Sequence, residues 1–234
     1  MKDKLTIIIP CKNENKYIGK CLHLISNQIN VDINYIKIII SDAGSTDGTL
    51  DIINSFKNIL NITVIRGGLP AIGRNLGARQ ANTEYLLFID ADAEIYDNEM
   101  IWKSIQKMEK DRLDLLASML NSHHVIVKFL YKINNIIIRL SKLDKPFAVG
   151  IYMMMKKDVF NRLGGFPEDV MHCEDYLLSK RVERKKFGII NKDVYSDNRR
   201  FKKMGYLNMV GYIFKNIVNR NNYDYFKKDI NYWL

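Results

Sequence analysis

The segment FIDADAEIYD sets Asp90 and Asp92 two residues apart, directly after the apolar run YLLFI. Alternation along an extended chain points both carboxylates to one side, where they repel unless a cation or a polar ligand lies between them. Hard divalent ions take oxygen ligands, commonly one or two carboxylates together with phosphate oxygens from a substrate. The pair therefore predicts a site where Mg²⁺ or Mn²⁺ holds a diphosphate. A second acidic pair, Glu174 and Asp175 in GGFPEDVMHCEDYLLSKR, stands at the head of a helical pattern running to Lys186. Acids in a first helical turn are favourable in themselves, and such a carboxylate can still accept a proton.

The elements that must position these acids alternate. LTIII (5–9), YIKIII (35–40), ITVI (62–65) and YLLFI (85–89) are short β-branched or aromatic runs bounded by turn residues, as buried parallel strands are. Tyr17, Ile18, Cys21, Leu22 and Ile25 fall at helical spacing, as do Leu50, Ile53 and Phe56 after the turn DAGSTDGT. The pattern predicts an α/β fold with a mostly parallel mixed central sheet flanked by helices. In such sheets ligands bind beyond the carboxyl ends of the strands, where Pro10 to Glu14, Asp42 to Asp47, Arg66 to Gly68 and Asp90 to Asp92 stand. Asp47 or Ser45 has the alternative of capping the helix that follows.

The chain has 234 residues and a net charge of +10, and predicts one domain. Residues 1–100 carry 10 Lys+Arg against 12 Asp+Glu, and residues 101–234 carry 26 against 14, so the positive excess lies wholly in the second part. An acidic strand-end cluster repels nucleic acid, which leaves phosphorylated small molecules or an anionic membrane as partners for that charge. Cys11, Cys21 and Cys173 have no paired spacing and are expected as free thiols. None of the four histidines, among them His123, His124 and His172, has metal-ligand spacing. The first residues lack the long apolar run of a signal peptide, so a cytoplasmic protein is expected.

The ordered set TIIIPCKNE, SDAGSTDGT, GRNLGARQANTEYLLFIDAD, GGFPEDVMHCED and YSDNRRFKKMGY resembles the family 2 glycosyltransferases of the GT-A type fold. That resemblance implies a single Rossmann-like domain and inverting transfer of a sugar from a nucleotide diphosphate, UDP- or GDP-linked, to an acceptor hydroxyl. It divides the chain into a nucleotide-sugar half (1–100), an acceptor half (101–206) and a basic, aromatic end (207–234). Base and ribose would lie near Pro10, Glu14, Asp42 and Asp47. Arg74 would face the phosphates, with a surface helix arginine as the alternative. Asp90, Ala91 and Asp92 would hold ribose, donor and metal, with Asp92 the direct ligand. Asp175 would be the base and Glu174 would contact the acceptor or set the site. Arg199 and Arg200 would clamp the diphosphate, and the turn at Gly164 and Gly165 would approach the donor sugar unless it only closes the helix KKDVFNRL. Ala43 replaces an aspartate common in the family, and no acid follows Asp175 in YLLSKR, which leaves the acceptor class open. A sugar-phosphate nucleotidyltransferase would share the first half but usually opens with a Gly-rich basic loop that IIIPCKNEN lacks; a non-catalytic nucleotide-binding protein is the other alternative.

In VIVKFLYKINNIIIRL (125–140), Val125, Ile126, Phe129, Ile133, Ile136, Ile137 and Leu140 share one stripe, while Lys128, Lys132, Asn135 and Arg139 lie opposite. Charges at every turn exclude a membrane-spanning helix. Either the stripe packs on the core, or it lies on anionic lipid at the inner face of the membrane, with a lipid-linked or polysaccharide acceptor at hand.

Overall fold

The β-branched runs become strands of a seven-stranded sheet in a computed structural model that describes residues 4–229. The strands are β1 (Leu5–Cys11), β2 (Lys37–Asp42), β3 (Ile62–Arg66), β4 (Tyr85–Ile89), β5 (Leu115–Asn121), β6 (Tyr152–Lys156) and β7 (Phe187–Tyr195), in the order β3-β2-β1-β4-β6-β5-β7. The first four strands of the chain, side by side as β3, β2, β1 and β4, are mutually parallel. β6 runs antiparallel to β4 and β5, and β5 pairs parallel with β7. Leu5, Ile7, Ile8 and Ile9 have no exposed surface, which requires cover on both faces of the sheet.

The helices are α1 (Ile18–Ser26), α2 (Thr49–Ser55), α3 (Pro70–Gln80), α4 (Met100–Lys110), α5 (Val125–Leu140), α6 (Lys157–Arg162), α7 (Glu174–Ser179), α8 (Arg199–Met204) and α9 (Tyr206–Val218), of which α3 packs on β1 and β2, α4 and α5 on β5, and α6 on β6. α3 lies unusually close to the sheet because Gly77 faces it. A Cβ there would come within 2.5 Å of Ile8 Cγ2. The close seat carries Arg74, one turn earlier, to the end of β4.

Three expectations change. β2 starts at Lys37, because Ile33–Tyr35 close a 3₁₀ turn first. The helix expected from Tyr176 to Lys186 stops at Ser179; the chain turns and enters β7, whose pairing with β5 and burial of Phe187 outweigh local helical preference. The aromatics and lysines of the segment 207–234 are of the kind found at membrane interfaces, yet the aromatics are not all free to meet one. Phe226 is fully buried, and Tyr223 and Tyr225 pack with it against Val170 and Leu177. Residues 230–234 of that expected segment lie outside the described residues.

Candidate active site

Separate stretches of chain, among them those of Arg74, Asp90 and Asp92, Glu174 and Asp175, and Arg199 and Arg200, bring carboxylates and guanidinium groups to one cavity of about 540 Å³. β4 ends at Ile89, and Asp90 accepts from the Ala93 N–H at 3.0 Å, so the chain turns here instead of running on extended as its alternation predicted. The turn buries Ala91 and Ala93 and leaves Asp90 and Asp92 on the cavity wall. Burial, with Asp90 next in importance, pushes the Asp92 carboxyl up to about 6.

Arg74 does not lie on the surface, the alternative the sequence left open for it, but on the wall of the cavity. It is 2% exposed and bridges two acids, donating from Nη1 to Glu174 at 2.5 Å and from Nη2 to Asp90 at 2.6 Å. Its Nε is buried without a partner, and the guanidinium lies 5.4 Å from the centre of the Phe166 ring. A buried charge on a helix is tolerable only with such compensation. The bridge fixes the end of β4, in the first half, to the start of α7, in the second.

Glu174 and Asp175 open α7, after Cys173 in the left-handed conformation at φ 58°. Glu174 is buried and ion-paired with Arg74. Asp175 accepts from the Gly150 N–H at 2.8 Å and from the Tyr176 N–H at 2.7 Å, and it lines the cavity. Burial and the adjacent Glu174 push its carboxyl up to about 7, while the two N–H groups and Arg74 pull the other way.

Arg199, the first residue of α8, donates to both oxygens of Glu14 at 2.6 Å and reaches Asp92 at 3.2 Å. Its guanidinium stacks on Tyr17 at 4.7 Å. Arg200 lines the same cavity. The expected phosphate clamps are thus at the site, with Arg199 held by carboxylates.

Asp42 and Asp47 sit apart from this cluster. Asp42 accepts from Gly44 N–H, Ser45 N–H and the Ser45 hydroxyl. It borders a second depression of about 500 Å³ with Ala43 and Arg66, at the ends of β2 and β3. Asp47 takes the Thr49 N–H and hydroxyl and the Asn15 N–H, which ties the loop after β1 to the start of α2 and holds its carboxyl below the ordinary range. Pro10 is half-buried beneath α3. Gly164 and Gly165, both at positive φ, donate back to Asn161 and Phe160 and close α6; the structure shows the helix-ending turn.

Gly150 was not legible as a site residue. It supplies the N–H that holds Asp175, and a Cβ on it would come within 2.5 Å of Arg74 Nη2. The only signal was a glycine just ahead of an apolar run, which marks close backbone approach. Gly150→Ala should displace the Arg74 guanidinium and lower turnover by about 10²-fold, the usual cost of an ångström-scale misplacement. Steady-state assay of the folded variant, checked by circular dichroism, decides this; unchanged turnover would show that the contact is only structural. Tyr131, whose hydroxyl meets the Ser196 hydroxyl at 2.8 Å on the cavity wall, also gave no sign in the sequence.

All three cysteines are free among the described residues. His172 is buried among Tyr212, Tyr225 and Phe226, and His123 bonds Glu94 at 2.8 Å. No group of three or more His, Cys, Asp or Glu among the described residues could hold a metal on its own.

Residues 6–164 match the family model described as Glycosyl transferase family 2. The chain belongs to this family. Over 195 residues, 76% of its length, it is 28% identical to a poly(ribitol-phosphate) beta-glucosyltransferase of Bacillus spizizenii and covers 30% of that protein. Over 125 residues, 52% of its length, it is 30% identical to the poly(ribitol-phosphate) beta-N-acetylglucosaminyltransferase TarS of Staphylococcus aureus and covers 19% of it. The chain therefore spans less than a third of either relative. The crystal structure of S. aureus TarS 1-349 in complex with UDP-GlcNAc superposes with a TM-score of 0.66 at 21% identity, covering 82% of this chain and 58% of that one. The mannosyltransferase PcManGT from Pyrobaculum calidifontis, in complex with GDP-Man and Mn2+, gives 0.69 at 19%, covering 90% and 64%. Both share the GT-A type fold with this member of the family.

Proposed function

We propose that the chain is an inverting glycosyltransferase that moves a sugar from a UDP- or GDP-linked donor to a hydroxyl of a polymeric or lipid-linked glycan acceptor, with a divalent metal at the diphosphate. The observation that carries this reading is the Arg74 bridge. It sets the acids at the end of β4 and the acids that open α7 around one cavity, with Asp175 facing into it. Residues 1–100 would take the donor and residues 101–206 the acceptor. The UDP-GlcNAc and GDP-Man complexes of TarS and PcManGT support the reading of the donor, and the poly(ribitol-phosphate) transferases among the relatives support that of a polymeric acceptor. The basic surface of the second half suits a site at the periphery of a membrane.

The donor base would occupy the depression beside Asp42, Ala43 and Arg66, with the diphosphate reaching Asp90 and Asp92. These residues fit a metal. Two neighbouring carboxylates face a cavity, and Arg199 is held mainly by Glu14, at 2.6 Å, with only the longer 3.2 Å contact to Asp92. Asp92 and Asp90 would hold a divalent ion whose remaining ligands are phosphate and water oxygens, and that ion would offset the charge on the departing diphosphate. Arg199 would exchange Glu14 and Asp92 for phosphate, and Arg200 would assist it. The acceptor oxygen then attacks the anomeric carbon as its bond to the diphosphate breaks. The electron pair leaves with the diphosphate and the acceptor proton passes to Asp175. Glu174 and Arg74 orient this base and take no proton.

A thermal-shift panel of UDP, GDP, CDP and their sugar conjugates, with and without Mn²⁺, tests the donor half. One nucleotide should raise the midpoint in a metal-dependent way, and no shift with any of them would remove the reading. Asp92→Asn sharpens it. Because the folded state holds the Asp92 proton more tightly than the ordinary value of 3.8, this group favours folding at low pH, and that contribution is lost as pH rises through about 6. At pH 8 the Asn variant should therefore be more stable than the free wild type by on the order of 1 kcal/mol, or ~2–4 °C. It should also lose the metal-dependent shift. A lower midpoint at pH 8 would overturn the charge argument.

A further inference from the structure

The apolar stripe of α5 faces away from the protein. Phe129 is 62% exposed, and Val125, Ile126, Ile133, Ile136 and Leu140 are exposed with it. The helix is fastened instead by Val127 and Ile138, which are buried, and by Asn135. Asn135 accepts from the Leu120 N–H and donates to the Leu120 carbonyl, each at 2.9 Å. A residue assigned to the polar face thus points inward, and the face rich in isoleucine points outward. α9 does the same: Met209 is buried, while Leu207, Val210, Ile217, Val218 and Phe214, the last 65% exposed, are bare. The two helices share a small core of Val127, Phe201 and Met209, and Leu140 and Ile217 line the cavity that holds Asp90, Asp92 and Asp175.

Apolar patches of this kind on a soluble protein mark an interaction surface. The charge around them says what kind. Residues 115–143 contain four basic residues and no acid, and residues 198–223 contain six and none. A second copy of the same face would bring like charges together. No helix of the described residues is long and apolar enough to cross a membrane. We propose that the exposed faces of α5 and α9 dock the protein on an anionic lipid bilayer. Their apolar side chains enter the boundary between headgroups and acyl chains, and Lys128, Lys132, Arg139 and Lys215 meet lipid phosphates. The cavity then opens at the membrane surface. The docking stands on the surface alone; that an acceptor enters the cavity from the membrane rests on the proposed transferase reading.

The test is flotation of the full chain with phosphatidylglycerol-rich and with pure phosphatidylcholine vesicles. It is run on wild type, on Phe129→Glu/Phe214→Glu and on Lys128→Gln/Lys132→Gln/Lys215→Gln. Wild type should float with the anionic vesicles only. The acidic pair should weaken this partition by about 100-fold or more, since two buried aromatic side chains are lost, and the neutralised variant by at least about tenfold. The nucleotide thermal shift should be unchanged in both variants, which shows that they fold and keep the donor site. No flotation of wild type at low salt, equal flotation with both vesicle types, or undiminished flotation of the acidic pair would overturn the proposal. So would a concentration-dependent dimer in sedimentation that the acidic pair dissociates while wild type stays off vesicles. Flotation without any nucleotide shift would sink the donor reading and leave the docking intact.

Discussion

Asp175→Asn should reduce sugar transfer by about 10²–10⁴-fold, the range that a positioned general base contributes, and leave the donor-nucleotide thermal shift unchanged. Asp175 takes the Gly150 N–H on Oδ2 and the Tyr176 N–H on Oδ1, so the single carbonyl oxygen of asparagine keeps one of these two contacts and the start of α7 stays tethered while the proton acceptor is gone. The pH profile supplies an independent check. Asp175 must be ionised to take the acceptor proton, and burial beside Glu174 pushes its carboxyl up to about 7. The rate at limiting substrate should therefore rise about tenfold per pH unit below that value and level off above it. A flat profile from acid to alkaline pH, or substantial transfer by the Asn variant, would exclude Asp175 as the base. The stability of the free protein moves the opposite way. A carboxyl held above its ordinary value favours the folded state at low pH, and that contribution is lost as pH rises through about 7.

Replacing Arg74 should be the most destabilising single change at the site. Arg74→Met removes the cation between Glu174, itself buried, and Asp90, leaving uncompensated negative charge in the interior. Breaking a buried pair from one side costs about 3–5 kcal/mol, which for a chain of this size lowers the midpoint by roughly 6–20 °C. Transfer should fall with it, because the bridge is what ties α7 to the end of β4. The double variant Arg74→Met/Glu174→Gln should recover much of the stability and little of the activity. Full recovery of both would mean that the bridge holds the fold without positioning the reaction. A small loss in Arg74→Met would show that solvent reaches Glu174 easily.

Much of this was legible because it is local. The runs at 5–9, 62–65 and 85–89 became strands at those positions, since β-branched residues bounded by turns have few other low-energy choices. The acids after β4 and at α7 were visible for a related reason: carboxylates at strand ends and helix starts need a partner, whatever the rest of the chain does. The helix expected through Lys186 failed because its end is decided by β5, more than sixty residues away in sequence, against which β7 pairs.

Arg74 shows the same limit at the site. In sequence it is one arginine of the helix PAIGRNLGARQ, and a surface or phosphate-facing position satisfies its charge equally well. Only the packing of α3 against β1 carries it inside, between two acids that lie 16 and 100 residues distant. α5 is sharper still, because its hydrophobic period was read correctly and the period does not say which way the stripe faces. That direction was set by Asn135 bonding to Leu120 and by Val127 packing with α9. The sequence by itself determined the element types, the order of the motifs and the chemistry available at each strand end, since these follow from backbone propensity and side-chain type. The tertiary structure alone decided which charges neutralise one another, that Gly150 supports Asp175, and which apolar face is left to solvent. Those depend on distances between residues remote in the chain, and no local propensity encodes them.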